Sequence, residues 1–516
     1  MLDTSSNNSR IAKNTLLLYF RMFFMMVVSL YTSRVVLNSL GVEDFGIYNV
    51  VGGIVAMFSM LSGSLSAAIT RFIMYELGTN NIGKLKKIFS SSVTIQCVLG
   101  FLIVLVAETI GVWFLNTKMN IPDERIVAAN WVLQFSIITF VINLVSIPYN
   151  AIIIAHEKMS VFAYIGILEA GGKLAIAFLI IISPIDKLVF YAILMCVVAF
   201  IVRLVYGGYC RRYFEECTYH FVFDKYLLKE MFNFAGWNFI GASSAILRDQ
   251  GGNIIINLFC GPAVNAARGI AFQVSGAVQQ FVVNFMTALN PQITKSYARG
   301  ENQYMMTLIF KGARFSYYML LILSLPILVN THYILAIWLN IVPDYTVSFV
   351  QLVLIFAMSE SISTPLITTM LATGNIKNYQ IIVGGLQLVN LPLSYILLKM
   401  GCMPQTVLIV AICISQCCLV ARLYLLRGMI GLSFIAYLKS VYLNVVMVTI
   451  IAFIFPVLFV YWLPESFLFF LCSSALTIIC TLITIFCVGC NSRERQYIIE
   501  KFEQICMKLK KNDTDK

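Results

Sequence analysis

From Ile11 to Gly489 the chain is a succession of long apolar runs separated by short polar breaks. Stretches such as Leu174–Ile182 and Leu408–Cys418 carry no charge at all. A bilayer core of about 30 Å takes about 20 apolar residues as a helix. Without water inside the membrane, backbone polar groups must be paired within each segment, which a helix achieves alone. Barrel strands would give short alternating segments instead, and these runs are continuous. The composition agrees, with 60% hydrophobic and only 12% charged residues in 516. A soluble domain carries about 25% charged residues. The expectation is therefore an all-α polytopic membrane protein, and a soluble enzyme is excluded.

Periodicity and breaks place about 14 transmembrane helices. They fall near 11–38, 45–75, 88–115, 126–152, 159–183, 186–209, 231–259, 263–290, 306–330, 346–371, 378–399, 404–426, 437–462 and 466–489. The net charge of +12 does not indicate nucleic acid, because the basic residues cluster at the ends of apolar runs. Loops on one side hold 25 of the 36 Lys and Arg; those on the other hold only Lys118, Arg125, Lys187 and Lys399. The basic side is cytoplasmic by the positive-inside rule, and both termini lie on it. The polar N-terminus and long first run indicate no cleavable signal peptide; the first helix serves as the insertion signal. The expected location is a bacterial inner (cytoplasmic) membrane.

A faint internal repeat organises the helices. Tyr75 and Gly78 recur as Tyr297 and Gly300, and Pro148 and Ala155 as Pro365 and Ala372, each at the same spacing. Helices 1 and 7 both end with an asparagine, Asn38 and Asn257, before a short loop. The expected organisation is an N-lobe at 1–209 (helices 1–6), a cytoplasmic linker at 210–230 and a C-lobe at 231–430 (helices 7–12). Two extra helices follow at 431–490, then a basic tail at 491–516. Parallel repeats place a pseudo-two-fold along the membrane normal, around a cavity able to open to either side. In the tail, Ile498, Phe502, Ile505 and Leu509 form one stripe, suited to an interfacial helix on anionic lipid. Loops on the less basic side are short, as at Gly261–Pro262 and Pro464–Glu465, which leaves no domain there for chemistry.

Charges inside membrane helices are expensive and usually face a bundle interior or a wet cavity. Helix 1 aligns Arg10, Asn14, Arg21 and Thr32 within about 40° of one another, with no acid between Asp3 and Glu43. Helix 2 presents Gly52, Ser59, Gly63, Ser66 and Thr70 on one face, a packing seam more than a ligand surface. Its Arg71 is placed as an interface anchor. Glu169 and Lys173 stand at i,i+4 in helix 5 and can pair. Helix 7 carries Arg248 and Asp249, with Gln250, Asn253 and Asn257 nearby. Helix 8 sets Asn265, Arg268, Phe272, Ser275 and Gln279 on one stripe, with Arg268 about 10 Å beyond the Gly261–Pro262 turn. Glu360 in helix 10 is an acid able to balance Arg248 or Arg268. The cavity candidates are thus Arg21, Arg268, Arg248, Asn14, Asn265 and Gln279. Asp249, Glu360, Glu169 and Lys173 are candidates for charge balance or coupling. The 14 cysteines lie mostly in apolar runs, where Cys acts as a small hydrophobe. Cys487 and Cys490 lack further ligands, and His156, His220 and His332 are far apart, so neither a metal site nor a catalytic residue is expected.

Three stretches carry a family resemblance. They are Phe234-Ala235-Gly236-Trp237-Asn238, then Gly261-Pro262-Ala263-Val264-Asn265-Ala266-Ala267-Arg268-Gly269-Ile270, then Pro291-Gln292-Ile293-Thr294-Lys295-Ser296-Tyr297. With the helix count and the two lobes, the chain resembles the polysaccharide (O-antigen and capsule) flippase family of the multidrug/oligosaccharidyl-lipid/polysaccharide exporter superfamily, and is similar to exporters of Bacteroides-like bacteria. The resemblance implies alternating access that moves undecaprenyl-pyrophosphate-linked oligosaccharide from the inner to the outer leaflet, for surface polysaccharide biosynthesis. Related lipid II flippases carry cavity arginines in the first, second and eighth helices. Arg21 and Arg268 match these; Arg71 matches less well because of its depth. The helix 1 acid that drug exporters often use is missing here.

The implied partners are the lipid-linked oligosaccharide, membrane lipids and a polysaccharide polymerase or ligase, with no nucleic acid, around a monomer. No cofactor is expected, and the sequence leaves a coupling ion, Na+ or H+, open. The main alternative is a cation-coupled multidrug-type exporter on the same fold, which calls for an acidic, aromatic-lined cavity. A membrane polymerase or ligase would need a large outer loop. A non-transporting assembly partner is a further reading.

Overall fold

The computed structural model describes residues 4–56, 58–118, 121–222, 224–339, 342–461, 467–496 and 499–500. The side chains of Arg10, Asn38, Gly52, Ser59, Gln250, Asn257 and Asn265 lie outside the described residues, as do Pro464, Glu465 and the tail stripe at Ile498, Phe502, Ile505 and Leu509.

The described residues are helical with no strand. The first half holds α1 (Thr4–Ala56), α2 (Ser59–Thr79), α3 (Ile82–Val106), α4 (Val112–Lys118), α5 (Ile126–Ala155), α6 (Met159–Leu179) and α7 (Lys187–Tyr213). There follow α8 (Lys225–Ala298), α9 (Asn302–Val329), α10 (Thr331–Leu339), α11 (Thr346–Thr373) and α12 (Lys377–Lys399). The chain closes with α13 (Thr406–Ile430), α14 (Phe434–Tyr437), α15 (Leu443–Tyr461) and α16 (Phe467–Thr484).

Ten helices among the described residues are long and apolar enough to cross a membrane. The remaining expected segments lie on α1, α2 and α8. At 53 residues, a straight α1 would run about 80 Å, far beyond a bilayer core. It is broken at Gly41, where φ is +82°, a region open to glycine because it lacks a Cβ. The 74-residue α8 also reverses. Arg268 hydrogen-bonds the carbonyl of Asp249 at 3.2 Å, whereas 19 residues of straight helix would separate them by about 28 Å. The chain therefore doubles back between these residues, the stretch that holds Gly261 and Pro262. Apolar side chains cover the outside: Leu16 is 70% and Phe200 52% exposed. Contiguous outward apolar surface of this kind needs lipid as its solvent. The protein is a multi-pass membrane protein.

The contacts divide the chain into two compact units. The first comprises Met1–Ser243 with Thr287–Met305 and Thr368–Gly384. Its dry core joins Ile47, Val51, Leu115, Val132, Leu133 and Leu188. Helices α3 and α5 approach closely because Gly100 lies under Val141 and Leu144, the small-residue packing that membrane helices favour. Arg125 clasps three helix ends, donating to Asp44 at 2.8 Å and to Asp186 at 2.6 Å. Asp186 also caps α7 by accepting from Leu188 and Val189. Burial pushes its carboxyl up, but the Arg125 and backbone hydrogen bonds outweigh it and hold it below the ordinary value. Polar ties bring in the segments from later in the chain. Buried Glu157 accepts from Gln292 at 2.6 Å and Lys295 at 2.8 Å, and Arg299 donates to the Gly78 carbonyl at 3.3 Å. Gly78 is pressed against Lys295 and Ala298, with no room for a side chain.

The linker after α7 folds back on this unit. His156 Nε2 donates to buried Glu216 at 2.5 Å and stacks on Phe214. Burial raises the Glu216 carboxyl, yet the His156 hydrogen bond and the charge of Lys86 outweigh it, leaving Glu216 below its usual range.

The second unit comprises Ser244–Met286, Met306–Ile367 and Gly385–Lys516. Here the segment that follows α16 is anchored to α9. Buried Arg314 donates to Glu494 at 2.6 Å and to the Gly489 carbonyl at 3.0 Å. Ser473, Thr477, Thr481 and Thr484 form a buried stripe on α16. The threonine hydroxyls return to carbonyls one turn earlier at 2.6–2.8 Å, so this stripe is self-satisfied packing.

Candidate functional site

Each unit contains a membrane-embedded arginine cluster. In the first, Arg21 of α1 lies over the Phe162 ring of α6, its Cζ 4.1 Å from the centroid. Gly166, one turn along α6, makes room: a Cβ there would collide with the guanidinium. The buried Arg21 Nε has no hydrogen-bond partner among the described residues. Glu169 is close enough to act on Arg21 electrostatically, but Lys173 donates to it at 2.7 Å. The i,i+4 acid is therefore already engaged, and Arg21 forms no ion pair among the described residues. Asn14 is elsewhere on α1. It is buried and donates to the Glu157 carbonyl at 3.4 Å, which ties down the turn between α5 and α6.

The second cluster sits where α8 doubles back. Arg248 pairs with its neighbour Asp249 at 2.8 Å and lies 5.1 Å from the Phe356 centroid. Arg268 is only 4% exposed and sits 4.3 Å from the Phe272 centroid. It donates to the Asn253 side chain and to the Asp249 carbonyl, and Gly252 leaves space beside it. Arg268 thus finds backbone and amide dipoles, while the Asp249 carboxylate goes to Arg248. Asn390 and Phe356 help line a small cavity of about 10 Å³ between the two arginines, the scale of a single water.

Glu360 of α11 accepts from Ser415 of α13 at 2.5 Å. Ser359 and Gln416 extend the chain of hydroxyl and amide groups. Glu360 acts electrostatically on Arg248 but bonds neither arginine. Gln279 donates to Ser275 one turn back at 2.8 Å. Arg248, Asp249 and Arg268 are therefore brought together, whereas Asn14 ties α1 to the α5–α6 turn and Gln279 bonds within its own helix.

Other polar positions are visible only in three dimensions. Arg71, expected as an interface anchor, donates to the Ala372 carbonyl at 3.2 Å. The rings of Phe72, Tyr75 and Phe234 surround it at 4.7–5.6 Å. Arg203 lies 3.9 Å from the Tyr149 centroid. On α5, Ser136, Thr139 and Asn143 line a cavity in the first unit; their three- and four-residue spacing was the signal available in the sequence. Among the described residues no cluster of three or more His, Cys, Asp or Glu is placed to hold a metal.

The fold has solved relatives. The chain superposes on an outward-facing multidrug resistance transporter of the MATE family in the MOP superfamily, with a TM-score of 0.71 at 12% identity, covering 82% of this chain and 96% of that one. A MATE structure in a bent conformation gives 0.72 at 12% identity, covering 84% and 97%. A MOP superfamily transporter from Pyrococcus furiosus, described as having a binding pocket of reversed polarity, gives 0.67 at 12% identity, covering 82% and 96%. A comparison with curated proteins finds no match. The fold is thus that of a MATE-like transporter, and a family model described as polysaccharide biosynthesis protein matches residues 11–297. By that match, which takes in more than half of the chain, the protein belongs to the polysaccharide biosynthesis protein family.

Proposed function

We propose that the protein is a flippase, not an enzyme. It would carry undecaprenyl-pyrophosphate-linked oligosaccharide from the inner to the outer leaflet of a bacterial cytoplasmic membrane by alternating access. The observation that carries this reading is Arg21: a membrane-embedded guanidinium, stacked on a ring, with no acid of its own. A cation in that setting is costly without a counter-ion. A pyrophosphate diester supplies about two negative charges and oxygens suited to the planar arginine fork. Family membership supplies the polysaccharide context. Outward movement of each uncompensated negative charge is downhill by roughly 2.3 kcal/mol per 100 mV of inside-negative potential, so the potential itself can drive export. In this reading both termini are cytoplasmic, the protein works as a monomer, and a polymerase or ligase receives the product.

The test is depletion of the chain in cells that depend on it for surface glycan. Lipid-linked oligosaccharide should accumulate in the inner leaflet. Normal surface glycan with no inner-leaflet accumulation would reject the reading.

A second reading, a cation-coupled exporter of the multidrug type, draws on one specific feature. Glu360 is an acid within a membrane helix that accepts from the Ser415 hydroxyl, and solved structures of similar fold include a multidrug resistance transporter. It predicts that Glu360→Gln abolishes Na+- or H+-dependent efflux of organic cations while surface glycan is unchanged.

A further inference from the structure

The first unit also contains an uncharged cavity of about 210 Å³, lined by Tyr48, Ser136, Thr139, Phe140, Asn143 and Met195. Ser136, Thr139, Phe140 and Asn143 stand at i, i+3, i+4 and i+7 on α5, which is one helix face. Polar residues in membrane helices are normally taken up by other protein groups, and three further polar residues of α5 follow this rule, although the buried Asn150 Oδ1 has no partner among the described residues. Asn130 pairs with Asn116, Gln134 donates to Glu108, and Ser146 donates to the Ile142 carbonyl. Ser136 and Asn143 have no protein partner among the described residues. Thr139 gives its proton to the Phe135 carbonyl at 2.7 Å and keeps its lone pairs.

The cavity therefore offers amide and hydroxyl groups that both donate and accept, beside the rings of Tyr48 and Phe140. Tyr48 is held by an edge-on contact with Tyr191 at 4.7 Å and Phe140 by Phe58 at 6.4 Å. The buried core around Val51, Val132 and Ile137 packs behind them.

The lining selects a ligand class. With no cation or acid among its side chains, an ion of either sign would be desolvated without compensation. Hydroxyl groups match side chains that both donate and accept, and a sugar's apolar C–H face matches an aromatic wall. The volume of about 210 Å³ is enough for one ring. We infer that this cavity is a binding site for a single uncharged sugar ring. That the ring belongs to a lipid-linked glycan rests on the function proposed above.

The test uses the full chain in nanodiscs and saturation-transfer NMR. The probes are the methyl glycosides of glucose, galactose and N-acetylglucosamine, with tetraphenylphosphonium as a cationic comparison. At least one glycoside should receive saturation at its ring C–H protons. Asn143→Leu should weaken binding about tenfold, as expected for a lost pair of neutral hydrogen bonds. Ser136→Ala, which preserves shape, should weaken it by a smaller factor. Arg21→Ala and Arg268→Ala should leave glycoside binding unchanged. The assignment is overturned if no glycoside binds, if binding ignores Ser136 and Asn143, or if only the cation binds through these residues. If glycan export depends on Arg21 yet no glycoside binds, the cavity assignment fails alone. If export is independent of the chain, the flippase reading fails and the glycoside titration still decides the cavity.

Discussion

Arg21 and Arg268 are the same residue type, each embedded in a membrane helix beside an aromatic face, but their surroundings differ in what they leave undone. Arg268 has an amide oxygen and a backbone carbonyl, and the nearby acid is already paired with Arg248. Arg21 has a ring, a glycine that makes room for it, and an acid occupied by Lys173. A ring face is worth about 0.5–2 kcal/mol to a cation, short of the several kcal/mol that desolvating an ion demands. Each guanidinium leaves its Nε without a partner among the described residues, but the second unit gives Arg268 two acceptors, while in the proposed reading the balance for Arg21 comes from a ligand. On the proposed function, one arginine is partly architectural and the other is the binding group. Each of the following experiments can break that contrast or sharpen it.

The largest effect should come from Arg21→Ala. Loss of charge-assisted hydrogen bonds to a pyrophosphate predicts export reduced about 100-fold or more. The thermal midpoint should be unchanged or higher, because no buried partner is orphaned. Gly166→Leu should reproduce the transport defect by displacing the guanidinium. Export and stability measured on the same preparations check both, and normal export by Arg21→Ala ends the contrast.

Arg268→Ala should also lower export, but with a stability loss of about 1–3 kcal/mol, since it strips hydrogen bonds from the Asn253 oxygen and the Asp249 carbonyl. Arg268→Lys should recover only part of both, because a point charge lacks the fork. Denaturation midpoints beside surface-glycan yield decide this. Equal stability of the two alanine variants would show that the arginines are not different in kind.

A smaller change is expected at the Glu169–Lys173 pair. Lys173→Met should release Glu169 to neutralise Arg21 and lower export about 3–10-fold, the scale of a partly exposed ion pair. Adding Glu169→Gln should restore it. A double variant that stays as impaired as Lys173→Met shows that Glu169 does not act through Arg21.

The smallest effect concerns pH. Glu216 titrates below its usual value in the folded chain, so it contributes stability above the unfolded glutamate value of about 4.3. That contribution fades as pH falls from there through the folded value. Thermal midpoints of the wild type should therefore drop more steeply below about pH 4.3 than those of Glu216→Gln. Parallel pH curves would rule out the His156–Glu216 contact as a stabilising tie.

Much of this was legible from the chain itself. Run length and the near absence of charge determined membrane helices, because the bilayer admits no other continuous apolar element. Gly41 marked the break in α1, because the backbone there needs a conformation that glycine adopts freely. Arg248, Asp249 and Arg268 were each legible as intramembrane polar residues, but their contact was not, because counting from Gly261–Pro262 leaves Asp249 and Arg268 about 9 Å apart in depth. The three- and four-residue spacing of Ser136, Thr139 and Asn143 was equally present. It was hidden by the other polar residues of α5, some of which find partners outside the helix, as Asn130 and Gln134 do.

The sequence by itself determined fold class, membrane residence and the inventory of intramembrane charges, because hydrophobicity and local backbone preference act along the chain. Only the tertiary structure decided which charges are satisfied. Whether Glu169 serves Lys173 or Arg21, whether Arg268 meets an acid or a carbonyl, and whether Asn143 meets protein or cavity all depend on approach to within about 3 Å. Helical periodicity fixes the face a residue occupies, but hydrogen bonds and ion pairs depend on which helix packs against that face and at what depth.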